Sequence, residues 1–158
     1  MPSNVKVKSN LKGFEELKRN LKTNLVAKIG IFSDENQRED GELTNAEIGA
    51  RHEFGVISEG LPRRSFLRDP IELERKELLK TAEGIIKANI DKNGGIEKIF
   101  ELIGIAGEAI IQGAFETGGF GTWDSLASRT INKKGSSQIL IDSSQLRKAV
   151  ISKVDKKE

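Results

Sequence analysis

Cysteine and tyrosine are absent from this 158-residue chain, and histidine, methionine and tryptophan occur once each. The lack of cysteine removes a disulfide framework and any thiolate nucleophile or metal ligand, which suits folding in a reducing cytoplasm. A single histidine, His52, leaves a Ser-His-Asp relay or a histidine metal cluster with one candidate. His52-Glu53 also lacks the second histidine one turn away that the helical zinc-protease pattern requires. Its plain structural reading is as a cap on a helix end, bonded to nearby carbonyls, with Phe54 folded into the core. Neither sign of charge dominates: 26 Lys and Arg against 24 Asp and Glu leave a net charge of +2. No global field then drives the molecule onto nucleic acid or an acidic membrane, and such contacts must come from local patches. No segment approaches the roughly 20 consecutive apolar residues of a spanning helix. Met1-Pro2-Ser3-Asn4-Val5-Lys6 precedes no apolar run, so a soluble, unprocessed chain with no membrane partner is expected.

What remains is ordinary globular composition, 36% hydrophobic and 32% charged, at the size of one domain with one modest core, expected to span residues 1–158. Leu11, Phe14, Leu17 and Leu21 recur at helical spacing and predict an amphipathic helix over 10–22. Leu25, Ala27, Ile29 and Ile31 alternate and predict a strand over 25–32. Residues 33–43 carry Asp34, Glu35, Glu39, Asp40 and Glu42 against Arg38, too little apolar surface to offset ordering entropy, and read as a mobile acidic loop. Thr44 and Glu47 have capping-box spacing, opening a short helix to Phe54 that Gly55 closes. Asp69-Pro70 marks the start of a long helix to about residue 91, and the apolar period from Ile96 to Ala114 a second, ending near Gly118. Gly104, Gly107 and Gly113 inside the second helix suggest close packing on a neighbour. Residues 118–121 read as a joint and Trp123–Thr130 as a short helix or turn. Ile139-Leu140-Ile141 is strand-like, Asp142 caps a short helix, and a strand follows through Val150, Ile151 and Val154 to a basic, frayed end at 155–158. The expected fold is a single α/β domain of the α+β kind, with a small, mainly antiparallel sheet of 25–32 and the C-terminal strand covered by the two long helices.

The carboxylates fall in the acidic loop and on helix faces, where hydration keeps ordinary acidity, so no acid-base pair stands out. Neither Gly94-Gly95 nor Gly118-Gly119-Phe120-Gly121 matches a phosphate loop. No catalytic residue, metal site or cofactor is assigned. Arg63, Arg64 and Arg68 cluster beside Phe66, and the last quarter of the chain is basic. In one reading these guanidiniums grip carboxylates of a neighbouring subunit, the acidic loop of the next copy among them, with Phe66 as apolar anchor. In the other they contact phosphates without regard to sequence.

Three stretches carry a family likeness: Ala46-Glu47 with His52-Glu53-Phe54-Gly55; Pro62-Arg63 with Ser65-Phe66-Leu67-Arg68; and, after Trp123, Leu140-Ile141-Asp142 with Leu146-Arg147. In this order they resemble the minor tail components of long-tailed bacteriophages, of the tail completion or head-to-tail joining type. The resemblance covers about residues 25–154. It departs from the family pattern at Asp124-Ser125, where a proline is usual, and at Ser143-Ser144, where Thr-Gly is usual. It implies a virion protein of the tail or neck, assembled from the host cytoplasm, that forms a homo-oligomeric ring at the head-proximal end of the tail. Six copies are the expected number, other tail or neck proteins the partners, and neither enzymatic activity nor a cofactor is implied. Arg63, Arg64, Ser65, Phe66, Arg68 and Arg147 are the expected assembly interface, and Glu47, His52, Phe54, Gly55, Pro62, Trp123, Asp142 and Leu146 the structural motif positions. On that reading, replacing Arg64 and Phe66 together leaves the monomer folded and blocks incorporation into particles. The alternative is a module that touches DNA along the genome's exit path; a hydrolase is the third and least supported.

Overall fold

The computed structural model describes residues 24–38, 43–89, 95–135, 137, 139–140 and 144–157. The alternating segment forms β1 (Leu25–Ile31), which pairs antiparallel with β2 (Val150–Lys156) in a register running from Leu25 opposite Lys156 to Ile31 opposite Val150. Between them lie α1 (Asn45–Phe54), α2 (Arg68–Leu73), α3 (Arg75–Asn89), α4 (Gly95–Thr117), α5 (Ser128–Lys134) and α6 (Gln145–Lys148). The chain is thus α+β, its two-stranded antiparallel sheet packed beneath helices.

The long helix α4 lies across both strands because its sequence lets it come close. A Cβ on Gly104 would stand 3.0 Å from Cβ of Ser152, and one on Gly107 would collide with Cδ1 of Ile29. Glu108 fixes the contact by accepting from the backbone amide (3.0 Å) and hydroxyl (3.2 Å) of Ser152. Gly113 is different, since a Cβ there would meet Phe120 only at an ordinary 3.7 Å. The core gathers at the C-terminal half of α4: Ile111, Ala114 and Phe115 pack with Phe66, Trp123, Leu146 and Val150, and Ile29, Ile31 and Ile71 close over them.

Several expectations change. The single helix from Asp69 is divided at Glu74, whose ψ of 14° leaves the helical range. The break lets α2 bury Pro70 while α3, with no buried residue, lies along α4 and not on the sheet. The acidic loop is structured in its first half: Ser33–Glu35 form a turn of 3-10 helix, Lys153 pairs with Asp34, and Asn45 donates its backbone amide to the Asn36 carbonyl (2.9 Å) and its side chain to Gln37 (3.1 Å). These bonds supply what apolar burial does not; residues 39–42 lie outside the described residues. Trp123–Thr130 is helical only in its last residues: 124–127 have no regular structure, and α5 begins at Ser128 and runs on to Lys134. Leu140 has a φ of +57°, so Ile139 and Leu140 turn and pack on the core instead of extending. The C-terminus is not frayed through residue 157: Asp155 and Lys156 pair with Val26 and Leu25, and the Lys157 amide donates to the Asn24 carbonyl. The helix expected over 10–22 and the cap expected at Asp142 fall outside the described residues.

Candidate functional site

The first two sequence motifs meet around one buried carboxylate. Thr44 and Glu47 form the capping box, the Thr44 amide donating to Glu47 Oε2 (2.8 Å) and the Glu47 amide to Thr44 Oγ1 (3.3 Å). The helix so started turns Asn45, Gly49 and Glu53 inward along one line at i, i+4 and i+8. Glu53 therefore ends inside the molecule, 6% exposed, pointing at the start of α2. It accepts from Ser65 Oγ (2.6 Å) and from the amides of Phe66 (2.9 Å), Leu67 (3.0 Å) and Arg68 (3.3 Å). Ser65 Oγ in turn accepts from the Asp69 amide (3.0 Å). Amides at and just before the start of α2 thus find a carboxylate acceptor at the positive end of the helix dipole. Gly55 makes the return possible: at φ +74° and ψ 165° it reverses the chain, and a Cβ there would lie 2.9 Å from the Arg63 nitrogen.

The third motif joins through tryptophan. Trp123 Nε1 donates to the Ser65 carbonyl (3.0 Å), and Phe115 links the rings, 5.2 Å from Phe66 and 6.0 Å edge-on to Trp123. Arg64 reaches the same segment, donating from Nε (3.1 Å) and Nη2 (3.0 Å) to the Asp124 carbonyl and from Nη2 to that of Ser125 (3.4 Å). Burial lowers the pKa of its guanidinium below the usual range, opposed by the Asp124 charge. Leu146 completes the core, and Arg147 ties α6 to α4 through Gln112 (2.6 Å) and Glu116 (2.6 Å).

These contacts correct the expected interface. Arg64, Ser65 and Phe66 are 4%, 3% and 0% exposed, held inside one subunit by hydrogen bonds and ring packing, and cannot anchor a neighbour from there. A variant lacking both Arg64 and Phe66 should accordingly lose its fold rather than only its place in an assembly. Arg63 and Arg68 do remain exposed, both beside Asp69, with Arg63 Nη2 at 2.6 Å and Arg68 Nε at 3.7 Å from its Oδ1. The Arg63 hydrogen bond is the main reason the Asp69 pKa lies below the ordinary value. Phe54 is not in the core. With Glu53 holding the inward position, the next residue is carried about 100° round the helix and stands 68% exposed. His52 is half-buried, and its carbonyl accepts from the Arg64 amide (2.7 Å). The sequence signals Glu53, the hub, only through the spacing that puts it in line with Gly49.

Two surface features then stand out. Val56 and Leu61 exchange both backbone hydrogen bonds (2.9 and 3.1 Å), pinching off a loop on which Ile57 is 99% exposed; Phe54, shortly before it in the chain, is exposed as well. Next to it opens a cleft of about 790 Å³, bounded by α1, the 59–62 segment, α5 and the start of α6, with Pro62 and His52 in its wall. Among the described residues, Arg38, Arg51, Arg64 and Arg129 line this cleft together with one carboxylate, Glu59.

Among the described residues no group of three or more His, Cys, Asp or Glu is placed to hold a metal ion, and no helix is long and apolar enough to cross a membrane. No protein-family model, no curated protein and no solved structure matches the chain.

Proposed function

We propose that this chain is a structural virion protein, a tail completion or head-to-tail joining component that assembles as a ring at the head-proximal end of a phage tail. The observation that carries the reading is Ile57, 99% exposed on a loop closed at its base by the Val56–Leu61 pair, with Phe54, just before it in the chain, exposed too. A loop closed at its base that holds a large apolar side chain in water is stabilised by a neighbour that covers it, at about 1.5–3 kcal/mol per fully buried side chain. The order of the three motifs supports the same family. Mechanistically, apolar anchors become buried and charges matched, repeated by symmetry around the ring, without chemical change in any molecule. Arg63 and Arg68 are the members of the arginine motif left to act at such a surface.

The test is Ile57→Asp with Phe54→Ser. Both side chains are exposed, so the subunit should keep its helical circular dichroism and unfolding midpoint while its incorporation into particles, scored by complementation and imaging, is lost. Normal particles from that variant would reject the loop as the contact.

A second reading, in which the protein touches the genome along its exit path, draws on the cleft arginines. Phosphate contacts predict affinity for random duplex that falls steeply between two salt concentrations. A flat, weak salt response would exclude it. The hydrolase reading predicts a substrate turnover lost in His52→Ala.

A further inference from the structure

An apolar knob on a ring subunit needs a socket on its neighbour, and a groove elsewhere on this chain has the matching chemistry. The groove, of about 450 Å³, opens where the first half of α4 crosses β2. Gly104, which brings the helix onto Ser152, lies in it, and Val154 continues it along the strand. Ile105 stands in its wall 55% exposed, a large apolar side chain that the subunit itself leaves uncovered. Glu97, Glu101 and Ile105 follow one another at i, i+4 and i+8, so both exposed acids share the helix face of the isoleucine. Glu101 is paired with Lys98, whereas Glu97 forms no ion pair among the described residues. Across the groove, Asp155 and Lys153 are already matched with Lys28 and Asp34. The socket is thus apolar with an acidic rim on α4.

The knob carries the opposite sign. Just after the Val56–Leu61 bridge, the exposed Arg63 and Arg68 share one carboxylate, Asp69, at 2.6 and 3.7 Å. On the loop itself Glu59 is taken by Arg51. Pairing like patches about a two-fold axis would set arginines against arginines or glutamates against glutamates. Knob on groove instead matches the apolar and the charged members together. The two patches also lie apart on one subunit: the arginine segment packs through Phe66 on Phe115, which at roughly 1.5 Å per residue stands about 15 Å further along α4 than Ile105. We infer that Ile57 of one copy seats against Ile105 in the groove between α4 and β2 of the next, with Arg63 and Arg68 facing Glu97 and Glu101. A contact between unlike patches of identical chains is the head-to-tail kind that closes into a ring, so the inference rests on the assembly reading and supplies the socket for its knob.

The absence of cysteine makes the contact directly testable. One full chain carries Ile57→Cys and another Ile105→Cys, both at exposed positions, and unfolding midpoints equal to the parent's check that each is folded. The two are mixed under mild oxidation and resolved without reductant. A linked heterodimer is expected, about tenfold more abundant than either linked homodimer, and a single chain carrying both cysteines should give a ladder of linked oligomers. Adding Glu97→Lys and Glu101→Lys to the Ile105→Cys chain should cut the heterodimer about tenfold at low salt. A heterodimer no more abundant than the homodimers, a yield indifferent to the two glutamates, or linkage of Ile57→Cys to a different protein in assembled particles would each overturn the inference. Failure to link while Ile57 is still required for particles would sink this inference alone. A heterodimer formed by a chain that phage particles can do without would sink the virion reading alone.

Discussion

At the scale of single residues, Glu53 is the position on which most depends. Its carboxylate accepts four hydrogen bonds inside the molecule, three of them from consecutive backbone amides. Glu53→Gln keeps the shape but replaces one acceptor oxygen by an amide NH2 donor that faces donors, and Glu53→Ala leaves all the donors buried without an acceptor. An unsatisfied buried group costs roughly 1–3 kcal/mol, so Gln should lower stability by about that much and Ala by more, read as a shift in urea midpoint at unchanged slope. Asp69 offers a pH signature. Its folded pKa is depressed, chiefly by the Arg63 hydrogen bond, so its contribution is present above the unfolded pKa and is lost as pH falls through the lower folded value. Arg63→Ala should move the Asp69 titration, followed by carboxyl NMR, back up toward the ordinary range. An unmoved titration would show that another group sets it.

At the scale of elements, the two glycines of α4 that approach the sheet make different predictions. Alanine in place of glycine inside a helix gains about 1 kcal/mol from backbone entropy. At position 107 the obstacle is the tip of Ile29, which can rotate aside; at 104 it is Cβ of Ser152, fixed to the backbone of β2. Gly104→Ala should therefore lower the melting temperature more than Gly107→Ala, and equal effects would mean that α4 shifts as a whole. The same elements show what the sequence made legible. Strand alternation, the capping box of α1 and the glycines of α4 were readable because each is a local rule satisfied within a few residues. The break at Glu74 and the turn at Leu140 were not, since no glycine or proline marks them and both serve packing against residues far along the chain. Phe54 lies outside the core for a related reason: a helix of ten residues buries one line, and nothing local decides between its aromatic and its acid. The cleft arginines come from four separate segments, so no spacing in the sequence could assemble them.

At the scale of the whole molecule, arginine and phenylalanine together are ambiguous, because the residues enriched at interface hot spots are also those that knit segments inside a subunit. Here the interior use dominates. Phe66 is wholly buried between Phe115 and the rest of the core, and Arg64 bridges the 62–67 segment to the chain after Trp123. Truncating a buried phenylalanine to alanine costs roughly 3–5 kcal/mol, a large share of the 5–15 kcal/mol typical of a small domain. Removing Arg64 as well would leave the Asp124 and Ser125 carbonyls without their guanidinium donor. The doubly substituted Arg64→Ala, Phe66→Ala chain should thus lose the near-ultraviolet signal of Trp123 and unfold at far lower denaturant, before assembly is even tested. Arg64→Lys alone should show an intermediate effect, because an ammonium carries charge to the site but lacks the planar fork that spans both carbonyls. Should the double variant instead melt as the parent does and fail only to enter particles, the internal role of this motif would be wrong and its arginine and phenylalanine would have to turn outward in the assembled state.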